Sequence, residues 1–153
     1  TRVNVQNVYF DMIDGDGIFM RNAKVELIDV AFRRCQYTGL RISDVTSQTT
    51  VVATRCEFAN STYGAVVYGS LTSATFNNCV FHDNSSDGFY GWESTIHFHG
   101  EATAIHSNKD NGIYAEESAK VIIHLPSHHN TLYNNGGEDR NTSGGGTITN
   151  VED

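Results

Sequence analysis

Apolar residues along this chain recur in short alternating runs, and the runs themselves recur. Ile18 and Met20 alternate with Phe19 and Arg21, Val25 and Leu27 flank Glu26, and Val30 and Phe32 flank Ala31. The same trio returns as Leu40/Ile42, Val51/Ala53 and Cys56/Phe58, and again as Ala65/Val67, Ala74/Phe76 and Cys79/Phe81. Alternation at period 2 over a few residues, broken by turn residues, predicts short strands with one buried face. A glycine punctuates each trio at Gly17, Gly39, Gly64, Gly88 and Gly112, with spacings of 22, 25, 24 and 24 residues. Six or seven places before each glycine stands Phe10, Phe32, Phe58, Phe81 or Ile105, and two before that Val8, Val30, Cys56, Cys79 or Thr103.

Self-similarity at such a period marks a solenoid, in which each unit buries its apolar face only against its neighbours. The expected fold is all-β with almost no helix: a parallel β-helix of about six coils of 22–25 residues, three short strands per coil. At a rise of roughly 4.8 Å per coil the stack stands about 29 Å tall, with Phe32, Phe58 and Phe81 in one inward column. The whole chain, 1–153, reads as a single domain, with regular coils over 1–135 and a Gly-rich end or cap over 136–153. Within that end Thr147 to Val151 reads as a last strand. Val121 to Leu125 is apolar in both registers, so the pattern leaves its inward face open. The chain opens on Thr1 rather than on an initiator Met or a signal peptide, and reads as a piece of a longer protein.

Composition narrows the partners. A formal net charge of -8 argues against nucleic acid, whose phosphates demand a basic stripe, and against an anionic membrane surface. No stretch reaches the roughly 18 apolar residues that span a bilayer. The three cysteines, Cys35, Cys56 and Cys79, show no metal or redox spacing and read as buried free thiols. Cys56 and Cys79 share a column, where a bridge is the alternative to a pair of small stacked hydrophobes.

The segments Asn84-Ser85-Ser86-Asp87-Gly88-Phe89-Tyr90 and Asn108-Lys109-Asp110-Asn111-Gly112-Ile113-Tyr114 resemble the right-handed parallel β-helix repeats of the pectate-lyase-like superfamily. The resemblance covers about residues 3 to 135. It implies right-handed coils, as does the general chirality of parallel crossovers. Members include polysaccharide lyases, pectin-type hydrolases, alginate epimerases, phage tailspikes and viral or bacterial surface proteins, so architecture is implied more firmly than activity. The Asn-Thr-Asp, Asp-Asp, Gly-His-Gly and Arg-x-Ile-Lys signatures of the pectin hydrolases and the Asp-Pro-His of the epimerases are missing from this sequence. The column Asn60, Asn84 and Asn108 resembles the asparagine ladder of such helices, in which amides bond turn backbone and one another. Asn60, Asn84 and Asn141 also head glycosylation sequons, and a ladder leaves only Asn141 free to carry a glycan.

Candidate chemistry lies on the outward positions. Two and four places past the key glycines, Tyr68, Tyr90, Trp92 and Tyr114 fall on one external sheet face. Tyr and Trp rings stack on apolar sugar faces while their polar tips bond hydroxyls, so the face reads as a glycan contact, a subunit interface or simple cross-strand pairing. His82 and His106 point outward one strand apart beside Asp83, a pair short of a metal set. His124, His128 and His129 lie in the ambiguous coil. Asp14, Asp16, Asp87 and Asp110 crowd a turn edge, as calcium ligands or as ordinary Asp turns. Glu93, Glu116 and Glu117 form a possible carboxylate group near the same edge. The reading is a non-catalytic scaffold of an extracellular, cell-surface or virion protein, contacting glycan or a sister subunit in a homo-oligomer such as a trimer. No catalytic residue, metal or cofactor is assigned. The alternative is a polysaccharide lyase, glycoside hydrolase or epimerase domain, in which a catalytic acid or base converges with Arg41, Glu93 or Glu116 in a groove.

Overall fold

A side chain that must alternate in and out, in strands too short to fold back as hairpins, is satisfied by winding the chain so that each strand pairs with its counterpart one coil later. The computed structural model describes residues 2–44, 46–125 and 131–152. In chain order the strands are β1 (Arg2–Gln6), β2 (Tyr9–Asp11), β3 (Ile18–Arg21), β4 (Lys24–Ile28), β5 (Ala31–Arg33), β6 (Thr38–Ser43) and β7 (Thr49–Thr54). Next come β8 (Glu57–Ala59), β9 (Tyr63–Tyr68), β10 (Thr72–Asn77), β11 (Val80–His82), β12 (Phe89–Trp92) and β13 (Thr95–His99). The last coils hold β14 (Ala104–His106), β15 (Ile113–Glu116), β16 (Lys120–Leu125), β17 (Leu132–Tyr133), β18 (Arg140–Thr142) and β19 (Thr147–Glu152). Among the described residues there is no helix.

Every pairing is parallel and joins a strand to the third one on. One sheet of seven strands runs β1-β4-β7-β10-β13-β16-β19, and two sheets of six run β2-β5-β8-β11-β14-β17 and β3-β6-β9-β12-β15-β18. They are called here the first, second and third sheets. The predicted trios coincide with these strands, and Leu27, Phe32, Leu40, Ile42, Val51, Phe58, Val67, Phe76 and Phe81 are fully buried. The ring column is continuous: Phe10, Phe32, Phe58 and Phe81 stack at centroid spacings of 5.1, 5.1 and 4.5 Å. Val8, at the head of the column that holds Val30, Cys56, Cys79 and Thr103, is exposed because no coil covers it. The three cysteines are free and buried.

Pairing with Ile96 and Phe98 turns Val121 and Ile123 inward and leaves Ile122 and His124 outward, which settles the register that alternation leaves open. Past the glycines at 144–146 the chain resumes as β19, laid along the whole of β16.

Most corners after the first and second sheets are single residues in the left-handed region, which polar Asn and Asp tolerate best among side-chain-bearing residues. Asn7, Asp29, Arg55 and Asn78 follow the first sheet, and Met12, Arg34, Asn60, Asp83, Ser107 and Asn134 follow the second, all with φ between +52° and +58°. The repeated glycine has a different cause, close approach. A Cβ on Gly17, Gly39, Gly64, Gly88 or Gly112 would lie under 3.0 Å from a carbonyl oxygen of the coil above.

The ladder runs through Asn84 and Asn108 as expected and departs by one residue only at Asn60. Asn84 and Asn108 are buried, but Asn60 is an exposed corner residue, and Ser61 occupies the ladder position of its coil. Ser61 N–H donates to Asn84 Oδ1 at 3.1 Å, Asn84 Nδ2 to Asn108 Oδ1 at 2.9 Å, and Asn108 Nδ2 to Asn135 Oδ1 at 2.9 Å. Each amide also donates to the carbonyl of the inward residue one coil back, Phe58, Phe81 or Ile105. Asn60 is therefore as open to solvent as a glycan acceptor needs to be, and Asn141, held partly buried, is not the sole candidate.

Candidate functional site

The outward positions of the third sheet form two columns. One runs Phe19, Arg41, Val66, Tyr90, Tyr114 and Asn141, the other Arg21, Ser43, Tyr68, Trp92 and Glu116. All four predicted rings stand there, half-buried, and touch: Tyr68 meets Tyr90 at 5.8 Å and Trp92 at 5.9 Å, and Tyr90 meets Tyr114 at 5.4 Å, each pair tilted. Tyr63, which the spacing argument passes over, joins them edge-on to Tyr90 at 6.1 Å.

Val66 occupies an outward position yet is only 3% exposed. Arg41, Tyr63, Tyr68 and Tyr90 rise around it and leave a cleft of about 150 Å³ with Val66 as its floor. The rim is polar. Tyr90 OH donates to Glu116 Oε2 and Tyr114 OH pairs with Ser143 Oγ at 2.9 Å. Burial and then the Glu116 carboxylate push the Tyr90 phenol far above its ordinary pKa, so it stays a donor. Arg41 Nε lies 3.0 Å from Asp16 Oδ2, which ties the guanidinium to the wall of the cleft. A larger hollow of about 260 Å³ lies on the first sheet among Asn4, Lys24, Glu26, Thr50 and Val52, without an aromatic ring.

The acidic candidates do not gather into one group, although Asp87 and Asp110 lie on neighbouring coils, as do Glu93 and Glu117. Gly17, Gly39, Gly64 and Gly88 belong to successive coils, so Asp16 and Asp87 stand three coils apart, about 14 Å. Asp16 accepts from Thr38 N–H, and Asp110 accepts from Ser86 Oγ. Glu93 is an exposed left-handed corner, and Glu117 a left-handed residue after β15. Arg41 on β6 and Glu116 on β15 are likewise three strands apart.

Asp87 is 4% exposed, and its Oδ1 accepts from both Asn111 N–H and Asn111 Nδ2 at 2.9 Å. Burial pushes its carboxyl upward despite those bonds. A raised folded-state pKa contributes stability below the unfolded value, near 3.8, and that contribution is lost as pH rises through the folded value. One coil on, Asn111 accepts from Glu138 N–H in the same way. Asp87→Asn is accordingly expected to raise the urea midpoint at pH 7 and to lose that advantage below about pH 4. A variant less stable than the parent at pH 7 refutes the burial argument.

On the second sheet His82 and His106 stack at 5.2 Å and 9°, as their outward placement predicts, and Tyr133 extends the stack at 4.7 Å. His82 is held by carboxylates: Nδ1 lies 2.5 Å from Asp83 Oδ2 and Nε2 3.5 Å from Glu57 Oε2. Burial works to raise the Glu57 carboxyl, but Arg33 and His82 together bring it below the usual range. On the first sheet the coils bring three more histidines together. His97 and His99 share a face of β13, and His124 joins them from β16, with His97 Nδ1 2.8 Å from His124 Nε2. Burial, then the neighbouring His124, holds the His97 pKa down. The signal in the sequence is a His-x-His at strand period with a third His one coil later. His128 and His129 lie outside the described residues.

A family model described as a right-handed beta helix region matches residues 1–152. No curated protein and no solved structure gives a significant match.

Proposed function

Because the chain belongs to the right-handed β-helix family, whose stacked sheets hold side chains at fixed spacing without supplying chemistry of their own, we propose that it is a non-catalytic scaffold that binds glycan on its third sheet. The observation that carries this reading is the run of five touching rings, Tyr63, Tyr68, Tyr90, Trp92 and Tyr114, of which Tyr63, Tyr68 and Tyr90 line a small cleft with Arg41, while Glu116 accepts from the Tyr90 phenol farther along the face. Rigid rings offer apolar faces to sugar C–H groups, and the phenols, guanidinium and carboxylate offer bonds to hydroxyls, the mixture a sugar needs. A subunit interface fits less well. Such a contact covers roughly 800 Å² per partner with an apolar centre, whereas these rings are half-buried already and, of the exposed large apolar side chains, Phe19 alone continues their column while Met12 and Leu71 lie off the third sheet. The setting that follows is extracellular, cell-surface or virion.

Trp92 is the single tryptophan and reports on the face directly. Titration with oligosaccharides, acidic and neutral, is expected to change its fluorescence while sedimentation stays monomeric. Trp92→Ala should weaken binding at least tenfold and cost about 1 kcal/mol of stability, since a half-exposed ring carries little of the core. An oligomer that Trp92→Ala dissociates, without response to any sugar, assigns the face to a sister subunit instead. Cleavage of the bound polysaccharide assigns it to an enzyme.

A further inference from the structure

We propose that His97, His99 and His124 form a binding site for a borderline divalent metal ion, zinc first, with a fourth coordination position open to solvent. The three imidazoles stand on the outer face of the first sheet, each half-buried. His97 and His99 are two residues apart on β13 and so share its outward face, and the pairing of Phe98 with Ile123 sets His124 beside His99. One ligand nitrogen from each lies within 4.8 Å of the other two. The rings crowd together: His97 and His124 at 5.0 Å, His99 and His124 at 3.8 Å and nearly parallel.

Tetrahedral zinc bonds imidazole nitrogen at about 2.0–2.1 Å, which puts ligand nitrogens about 3.3 Å apart. The 2.8 Å approach of His97 Nδ1 to His124 Nε2 lies below that spacing and the 4.8 Å bound above it, so small ring rotations reach it without backbone movement. The backbone is fixed by the sheet: β13 is paired on both sides, with β10 and β16, and β16 with β19. Ligands on paired strands are held more precisely than ligands on loops. The stacked pair His82 and His106 is the internal contrast, since the His82 nitrogens face Asp83 and Glu57 rather than other imidazoles. Three neutral nitrogen donors select zinc, copper, nickel or cobalt over magnesium and calcium, which take oxygen. Three protein ligands with an open position are the arrangement of zinc sites that keep a bound water.

The test uses the full chain stripped of metal with a chelator. Titration with zinc by calorimetry, and with cobalt by visible absorption, is expected to show one ion per chain at micromolar or tighter affinity and a tetrahedral cobalt spectrum, with no response to magnesium. His97→Ala, His99→Ala and His124→Ala should each weaken binding at least about tenfold, while the double variant His82→Ala/His106→Ala binds as the parent does. In the parent itself, imidazole nitrogen NMR signals of the triad should move with zinc, a readout that does not depend on any variant folding. The proposal is overturned by absence of stoichiometric binding, by triad variants that bind like the parent, or by zinc-dependent shifts confined to other histidines.

Discussion

Phe58→Ala is expected to cost about 3 to 5 kcal/mol of unfolding free energy, measured by urea denaturation at pH 7. The ring is fully buried and lies between Phe32, at 5.1 Å and 8°, and Phe81, at 4.5 Å and 10°, with the edge of Phe76 against it at 5.8 Å. Truncation removes both stacking faces at once. The hole cannot collapse, because β5, β8 and β11 are joined by backbone bonds that hold neighbouring coils one strand spacing apart. Phe10, covered on one face only and partly exposed, should lose much less when cut to Ala. In a solenoid the interior coil depends on two neighbours and the end coil on one. A loss below about 1 kcal/mol at Phe58 removes it from the core.

That ring column was legible because alternation and period act together: a residue at the same place in three successive units, inward by parity, has nowhere to be but in a stack. What stayed hidden has identifiable causes. Counting back from the glycine misplaces the first rung of the ladder, because the turn before Gly64 is one residue shorter than the turn before Gly88, with four residues after Ala59 and five after His82. The strand, not the glycine, sets the register, and Ser61 takes the place expected for Asn60. Alternation also reports direction and not cover: it turns Val66 outward and says nothing of the arch of Arg41, Tyr63, Tyr68 and Tyr90 above it. His124 sits in a run apolar on both faces. Only pairing with Ile96 and Phe98 decides its side, and with it the meeting with His97 and His99.

Asn84→Asp is the sharper test of the ladder, because it exchanges one amide nitrogen for oxygen and changes almost no volume. Asn84 is 1% exposed and uses its whole amide: Oδ1 accepts from Ser61 N–H at 3.1 Å, and Nδ2 donates to Phe58 O at 3.2 Å and to Asn108 Oδ1 at 2.9 Å. An ionised Asp keeps the first bond and turns its other oxygen toward two acceptors, which repel the buried charge. The expected loss at pH 7 is about 3 to 5 kcal/mol, the scale for an uncompensated buried charge. Asn84→Ala only leaves groups unpaired, and should lose about 1 to 3 kcal/mol. The two variants separate by pH. Protonation gives the Asp one O–H donor and removes its charge, so its folded-state pKa lies above the unfolded value of about 3.9. Its contribution is then most favourable below that unfolded value and is lost as pH rises through the folded one. The gap between parent and Asp variant should therefore be widest at neutral pH and narrow toward pH 4, while the gap to the Ala variant stays level. Urea midpoints of the three proteins at pH 4 and pH 7 decide it. An Asp variant that matches the parent at pH 7, or whose deficit is the same at both values, means the amide is not buried between two acceptors and the ladder does not hold these coils together.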